Sequence, residues 1–288
     1  MKKVAIMYIC TGAYIEYWKE FYDSFEQNFL SDYEKHYYLF TDEKKLYQEE
    51  NSRVHIYYQE HLPWPLITLM KYHIALTIKE QLVNYDFVYW SNANIKCESK
   101  INAKDILPDK KKGQRFTFTL HANNFVDKRY IHKFNFEYER NRRSLAYIPY
   151  NIGRYYIYGN MWGGSGKDVV ELMENFDYRI NEDLKKRIIP IWHDESYVNH
   201  YVVTHSDYRL LDPGYCYPVG FEIDFEKKIV GVAKLSVFDV NSFKGYYSEK
   251  KSSNLVAYIK AIKKKTIKTW IPFLCYVRDF LLQRRPAE

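Results

Sequence analysis

Two adjacent carboxylates, Asp194 and Glu195, follow Trp192 and His193 and precede Ser196. An indole offers an apolar surface to the C–H face of a sugar ring, and an imidazole can orient a hydroxyl. A carboxylate can attack an anomeric carbon or stabilise the positive charge that builds there. An Asp-Glu pair that opens a helix can also do no more than face the positive end of the helix dipole. The Trp-His pair ahead of it favours a carbohydrate site. A second candidate is Asn92-Ala93-Asn94, placed directly after the apolar run Phe87-Val88-Tyr89-Trp90. Neutral amides are poor ligands for a hard dication compared with two carboxylates. A third is Thr11-Gly12, at the exit of another apolar run.

These residues need a scaffold, and the hydrophobic pattern supplies one. Residues 3–9 read as a buried strand, and 15–29 as an amphipathic helix with Tyr17, Trp18, Phe21, Phe25 and Phe29 on one face. Strands follow at 37–40, 54–57 and 86–90, and a helix capped by Thr68 is expected over 68–82. Strands alternating with helices at this spacing predict an α/β fold with a mostly parallel, nucleotide-binding sheet. Ligands of such sheets bind beyond the carboxyl ends of the strands, where Thr11-Gly12 and Asn92-Ala93-Asn94 both fall. From 121 to 153 the chain is aromatic, charged and aperiodic, as substrate-binding loops are. Gly163-Gly164-Ser165-Gly166 is a turn that opens a helix over about 166–176, and another helix is expected near 194–204.

The chain has 288 residues, enough for one catalytic domain, 1–247, and a C-terminal helical extension, 248–288. Its 30 tyrosines suit sugars and bases as well as an aromatic core. Cys10, Cys97, Cys216 and Cys275 form no CxxC pair, which points to reduced thiols of a cytoplasmic protein rather than zinc or disulfides. The short apolar run at Val4 to Met7 is a core strand rather than a signal peptide. The net charge is +7, but between positions 250 and 285 ten Lys or Arg face one acid, Asp279, a local +9. The remainder carries −2, since +7 less +9 is −2, so the overall basicity is no argument for nucleic-acid binding. In the tail, Leu255, Tyr258, Ile262, Ile267, Trp270 and Phe273 interleave with lysines, and Pro272 is expected to divide it into two helices. Such a segment predicts peripheral contact with an anionic membrane, at its inner face.

The ordered motifs Tyr8-Ile9-Cys10-Thr11-Gly12-Ala13-Tyr14, Tyr38-Leu39-Phe40-Thr41-Asp42, Trp64-Pro65, Tyr138-Glu139-Arg140, Ala146-Tyr147-Ile148-Pro149, Gly163-Gly164-Ser165 and Trp192-His193-Asp194-Glu195-Ser196 resemble glycosyltransferase family 6. That family includes the histo-blood-group A and B transferases, α-1,3-galactosyltransferase and bacterial relatives. The resemblance covers roughly residues 4–220. It implies a GT-A type fold, a UDP-sugar donor, retention of anomeric configuration, and a β-linked galactose acceptor extended at its 3-hydroxyl. By the same resemblance Glu195 matches the reacting carboxylate and Asp194 its donor-holding neighbour. His121 and Trp192 match acceptor contacts, and His193 joins them as a candidate to orient a hydroxyl. Tyr14 matches the uracil-stacking residue, and Ile9 and Thr11 the base-reading strand end. Lys71 stands where the family usually places an arginine, and Lys234 and Lys244 where it places a basic closing segment.

Three departures sharpen the expectation. Animal members carry Asp-x-Asp where this chain has Asn92-Ala93-Asn94. Bacterial members with the amide pattern resemble it, so no metal or other cofactor is expected and protein cations must stabilise the leaving diphosphate. The acceptor loop reads His121-Ala122-Asn123-Asn124-Phe125, with only the histidine and an aromatic kept, and the donor-discriminating trio reads Tyr158-Gly159-Asn160. Asn160 is not small, which leans toward UDP-galactose, although its amide could also greet an N-acetyl group. The expected protein is a metal-independent, retaining α-1,3-transferase of galactose or N-acetylgalactosamine. Its acceptor would be a β-galactoside, with or without fucose, on an oligosaccharide or a lipid-linked glycan. The alternatives are a same-fold transferase with other substrates and a degenerate sugar-binding protein.

Overall fold

The structure, a computed structural model, describes residues 1–127, 132–233 and 272–282. Strand β1 (Lys3–Ile9) is buried from Val4 to Tyr8, as the continuous apolar run requires for a strand covered on both faces. A 3₁₀ turn over Gly12–Tyr17 leads into helix α1 (Trp18–Asn28). The helix is shorter than the 15–29 expected because Phe29 leaves it, extended, to bridge Ile101. Strands β2 (Glu34–Thr41) and β3 (Val54–Tyr58) follow.

The helix expected over 68–82 is instead three short ones: α2 (Leu66–Leu69), α3 (Lys71–Leu76) and α4 (Lys79–Leu82). Thr68 does not cap it. Its hydroxyl donates to the Pro65 carbonyl at 2.8 Å, and the Thr77 hydroxyl donates to Ile74 at 2.7 Å. Threonines that bond nearby carbonyls compete with the regular helical ladder, and the breaks lie one or two residues beyond each. Strands β4 (Phe87–Ser91) and β5 (Ile95–Cys97), helix α5 (Ala103–Ile106), strand β6 (Phe116–Leu120) and helix α6 (Asn123–Val126) come next. The looser stretch that begins at 121 holds little regular structure among its described residues.

Strand β7 (Ile157–Gly164) turns into α7 (Gly166–Lys185), where the Ser165 side chain accepts from Asp168 N as the cap. This helix passes the expected end at 176 because Phe176 and Ile180 continue its buried face. Helix α8 (Asp194–Thr204) and strands β8 (Tyr208–Leu211) and β9 (Ile229–Gly231) complete the domain.

Among the described residues the main sheet has seven strands, in the order β3-β2-β1-β4-β7-β6-β8. Only β7 runs against the others, pairing antiparallel with β4 and β6, so the sheet is mostly parallel. A side chain at Gly163 would put its Cβ 2.4 Å from the Val88 carbonyl oxygen, so β4 and β7 can pair this closely only with glycine there. One core cluster packs α3, α7 and α8 against the sheet, and the other packs α1, whose own Phe21 and Phe25 rings stack with centroids 4.0 Å apart. Strands β5 and β9 form a separate pair.

The 247/248 boundary and the first part of the tail lie outside the described residues. Residues 272–281 form a helix, α9, and the second helix expected before Pro272 lies outside the described residues. Asp279 ties α9 to the domain: it is fully buried and accepts from Tyr150 N at 2.9 Å. Among the described residues no helix is long and apolar enough to cross a membrane.

Candidate active site

The site lies where the sheet geometry predicts, beyond the carboxyl ends of β1 and β4. A cavity of about 140 Å³ opens there, lined by Ile9, Thr11, Tyr14, Lys71, Asn92 and Asn94 among others. The structure therefore gathers six of the sequence-predicted donor residues into one hollow. It adds His61 and Trp64 to the lining. His61 Nδ1 lies 3.0 Å from the Thr11 hydroxyl, and no sequence signal had singled this histidine out.

The two carboxylates sit side by side at the start of α8 but meet different surroundings. Asp194 is 8% exposed and forms an ion pair with Lys71, which is 7% exposed. The Lys71 ammonium also lies over the rings of Tyr72 and Trp90, at 5.1 and 5.3 Å, and 3.4 Å from the Gly159 carbonyl. The short helix α3 begins at Lys71 and so delivers this cation to the cleft. Glu195 has neutral donors instead: the Tyr156 hydroxyl at 2.7 Å on one oxygen and the Gly159 N–H at 2.7 Å on the other. Burial pushes its carboxyl up to about 7; those two hydrogen bonds and Lys71 pull it down, while Asp194 pushes it further up. Gly159 is in close contact, since a Cβ there would come within 3.0 Å of the Glu195 Cβ.

The donor trio and the amide tripeptide meet directly. The Asn92 side-chain amide donates to Asn160 Oδ1, and the Asn92 backbone N–H donates to the Asn160 carbonyl at 3.0 Å. Asn160 Nδ2 reaches Cys216 Sγ at 3.5 Å, and Asn94 Nδ2 donates to the Val232 carbonyl at 3.2 Å. This set fits a divalent cation poorly: both side chains are neutral, and with their Nδ2 atoms held by protein partners they would offer a metal only uncharged amide oxygens. Among the described residues no group of three or more His, Cys, Asp or Glu could hold a metal ion.

On the other side of the cleft, His121 stacks on Tyr158 with ring centroids 4.5 Å apart and planes 10° apart. The Asn123 N–H donates to His121 Nδ1 at 3.0 Å, which leaves the proton of the neutral ring on Nε2. Burial lowers the His121 pKa to about 4, so the ring stays neutral and offers Nε2–H as a donor. Trp192 is 42% exposed on the loop before α8. Its backbone N–H donates to Ser196 Oγ at 3.1 Å, and that of Ile191 donates to the buried Glu139 at 2.7 Å. His193, with φ +51°, turns the chain into α8 and sets its ring edge-on to Trp64, centroids 4.9 Å apart. Lys234 and Lys244 lie outside the described residues. Tyr156, Glu139 and His61 are the residues that role-by-role sequence reasoning missed; Glu139 had entered only as part of a motif.

A hollow at parallel strand ends, next to the buried Lys71–Asp194 pair and Glu195, on a seven-stranded, mostly parallel α/β sheet, is the arrangement of a GT-A type glycosyltransferase fold. The chain belongs to glycosyltransferase family 6, whose profile matches residues 2–237. It is 28% identical over 229 residues to the O-antigen biosynthesis glycosyltransferase WbnI of Escherichia coli, covering 79% of this chain and 93% of that one. It is 25% identical over 209 residues to histo-blood group ABO system transferase 2 of Rattus norvegicus, covering 70% and 59% of the two chains. It is also 26% identical over 221 residues to globoside alpha-1,3-N-acetylgalactosaminyltransferase 1 of Gallus gallus, covering 74% and 61%. The aligned part thus spans about three fifths of the animal relatives' length. Family membership makes the chain a transferase that takes a nucleotide-sugar donor and a glycan acceptor.

Proposed function

We propose that this chain is a retaining α-1,3-glycosyltransferase. It moves galactose, or N-acetylgalactosamine, from UDP to the 3-hydroxyl of a β-galactoside, without a metal. The observation that carries the reading is the Glu195 carboxylate, gripped at both oxygens beside the Lys71–Asp194 pair. Retention needs a group on the sugar face opposite the leaving diphosphate, and a rigidly held carboxylate there stabilises the oxocarbenium-like transition state or captures it. Lys71 and Asp194 hold the donor, Tyr14, Ile9 and Thr11 take the uridine, and His121, Trp192 and His193 receive the acceptor. Metal independence is supported by the amide chemistry of Asn92 and Asn94. Galactose is favoured because both ends of the Asn160 amide are engaged, by Asn92 and Cys216, leaving little to meet an acetamide. The intact carboxylate pair argues against a degenerate binding protein.

The test is a donor and acceptor screen in EDTA with UDP-galactose and UDP-N-acetylgalactosamine. Transfer with retained configuration is expected. A strict manganese requirement would remove the metal-free part, and transfer from neither donor would remove the whole reading.

The acceptor is an oligosaccharide or a lipid-linked glycan, met at the inner face of a membrane through the basic tail. Support comes from the +9 segment and from α9, where Leu274, Phe280 and Leu281 are 61%, 62% and 73% exposed. Truncation at 248 should lower binding to anionic liposomes; undiminished binding would sink this part.

A further inference from the structure

Tyr156 occupies a position that the roles above leave unassigned. It is 3% exposed, and its ring lies between Tyr138 and His121, at 5.9 and 5.5 Å. Its backbone is fastened to the turn that carries His121. Its N–H donates to Asn124 Oδ1 at 2.8 Å, and its carbonyl accepts from His121 N at 3.0 Å and Asn124 Nδ2 at 2.7 Å. The same Asn124 amide donates to the His121 carbonyl at 2.6 Å. From this anchored backbone the phenol reaches across to Glu195 Oε1 at 2.7 Å. One residue therefore bridges the His121 turn and the carboxylate of α8.

We propose that Tyr156 is a positioning residue that aligns the Glu195 carboxylate, and that Asn124 locks it to the turn bearing His121, so that acceptor side and carboxylate are held in one register. The proposal rests on the reading of Glu195 as the reacting carboxylate. Gly159 N–H alone leaves a carboxylate free to swing about that one contact; a second donor on the other oxygen fixes its plane. The phenol gives no charge, so it orients the carboxylate without neutralising it, which a lysine in its place would do. It also opposes the effect of burial on the Glu195 proton.

The experiment compares wild type with Tyr156→Phe, which keeps the buried ring and deletes only the oxygen. Tyr138→Phe serves as the control, because its hydroxyl bonds the Tyr155 carbonyl and not Glu195. Glu195 is titrated by carbon-13 NMR in glutamate-labelled protein, with Glu195→Gln to assign the signal. Asp194, Lys71, Tyr72, Tyr158 and Cys216 also face this carboxylate. All of them remain in both variants, so a difference reports the lost hydroxyl. Loss of one hydrogen bond to a charged group should raise the Glu195 midpoint in Tyr156→Phe by about one pH unit. It should also lower kcat about tenfold at pH 7, with donor KM unchanged. An unmoved midpoint, or an equal shift in Tyr138→Phe, overturns the proposal. The NMR readout needs no turnover, so a wild-type chain that transfers nothing would refute the proposed function and still leave this coupling measurable.

Discussion

The proposed donor half and the proposed acceptor half of the cleft are built by different means. On the donor side, regular elements do the positioning: β1 and β4 end at Ile9 and Ser91, and their exits supply Thr11, Tyr14, Asn92 and Asn94. On the acceptor side, the loops before β7 and α8 carry His121, Trp192 and His193, and buried polar side chains hold them in shape. Glu139 accepts from Ile191 N and Asn141 N, and Asp183 accepts from the Ser144 and Tyr197 hydroxyls and from Leu145 N. Loops have no ladder of their own, so their backbone groups need such partners. In these proposed roles, a fixed half for the nucleotide beside a loop-built half would let the acceptor change while the donor site stays.

Breaking the Lys71–Asp194 pair should cost most. Lys71→Met leaves Asp194 buried without its cation, which destabilises by about 3–5 kcal/mol. Thermal unfolding should register that loss together with the loss of transfer; a Tm unchanged from wild type would show that the pair is not buried as described.

A smaller effect of opposite sign is expected at the neighbouring carboxylate. Burial raises the Glu195 carboxyl to about 7 from an ordinary value of 4.5. The folded protein therefore holds that proton more tightly than the unfolded chain. This contribution to stability is fully present below about 4.5 and is lost as pH rises through 7. Glu195→Gln should accordingly be more stable than wild type at pH 8, by up to about 3 kcal/mol, with the gain fading below pH 5. Denaturant titrations at the two pH values check this, and a gain that is the same at both would contradict it.

The acceptor half alone should respond to Glu139→Ala. Leaving the Ile191 N–H unpaired should cost about 1–3 kcal/mol and raise acceptor KM, while UDP affinity is unchanged. Equal losses of donor and acceptor binding would erase the distinction between the two halves.

The same divide governs what the sequence discloses. Strands β1 and β4 are continuous apolar runs closed by polar exits, so both their existence and the ligand side of the sheet can be read locally. The Trp-His-Asp-Glu run is legible because four informative residues adjoin. Tyr156 is not legible, since it is one of 30 tyrosines and its meaning depends on a carboxylate 39 residues away. The Asn92–Asn160 contact spans 68 residues, so sequence reading treats as two features what the fold makes one. Thr68 misleads because a helix-capping residue type also back-bonds within a turn, and only the backbone path decides between them.

We propose that Glu195 carries the chemistry in a site that works without a metal. The most direct measurement is transfer by wild type and Glu195→Gln in EDTA, with UDP binding followed by calorimetry in parallel. Wild-type transfer should be unaffected by the chelator, the variant should lose about a thousandfold or more, and UDP affinity should be the same in both. A fully active Glu195→Gln enzyme would contradict it.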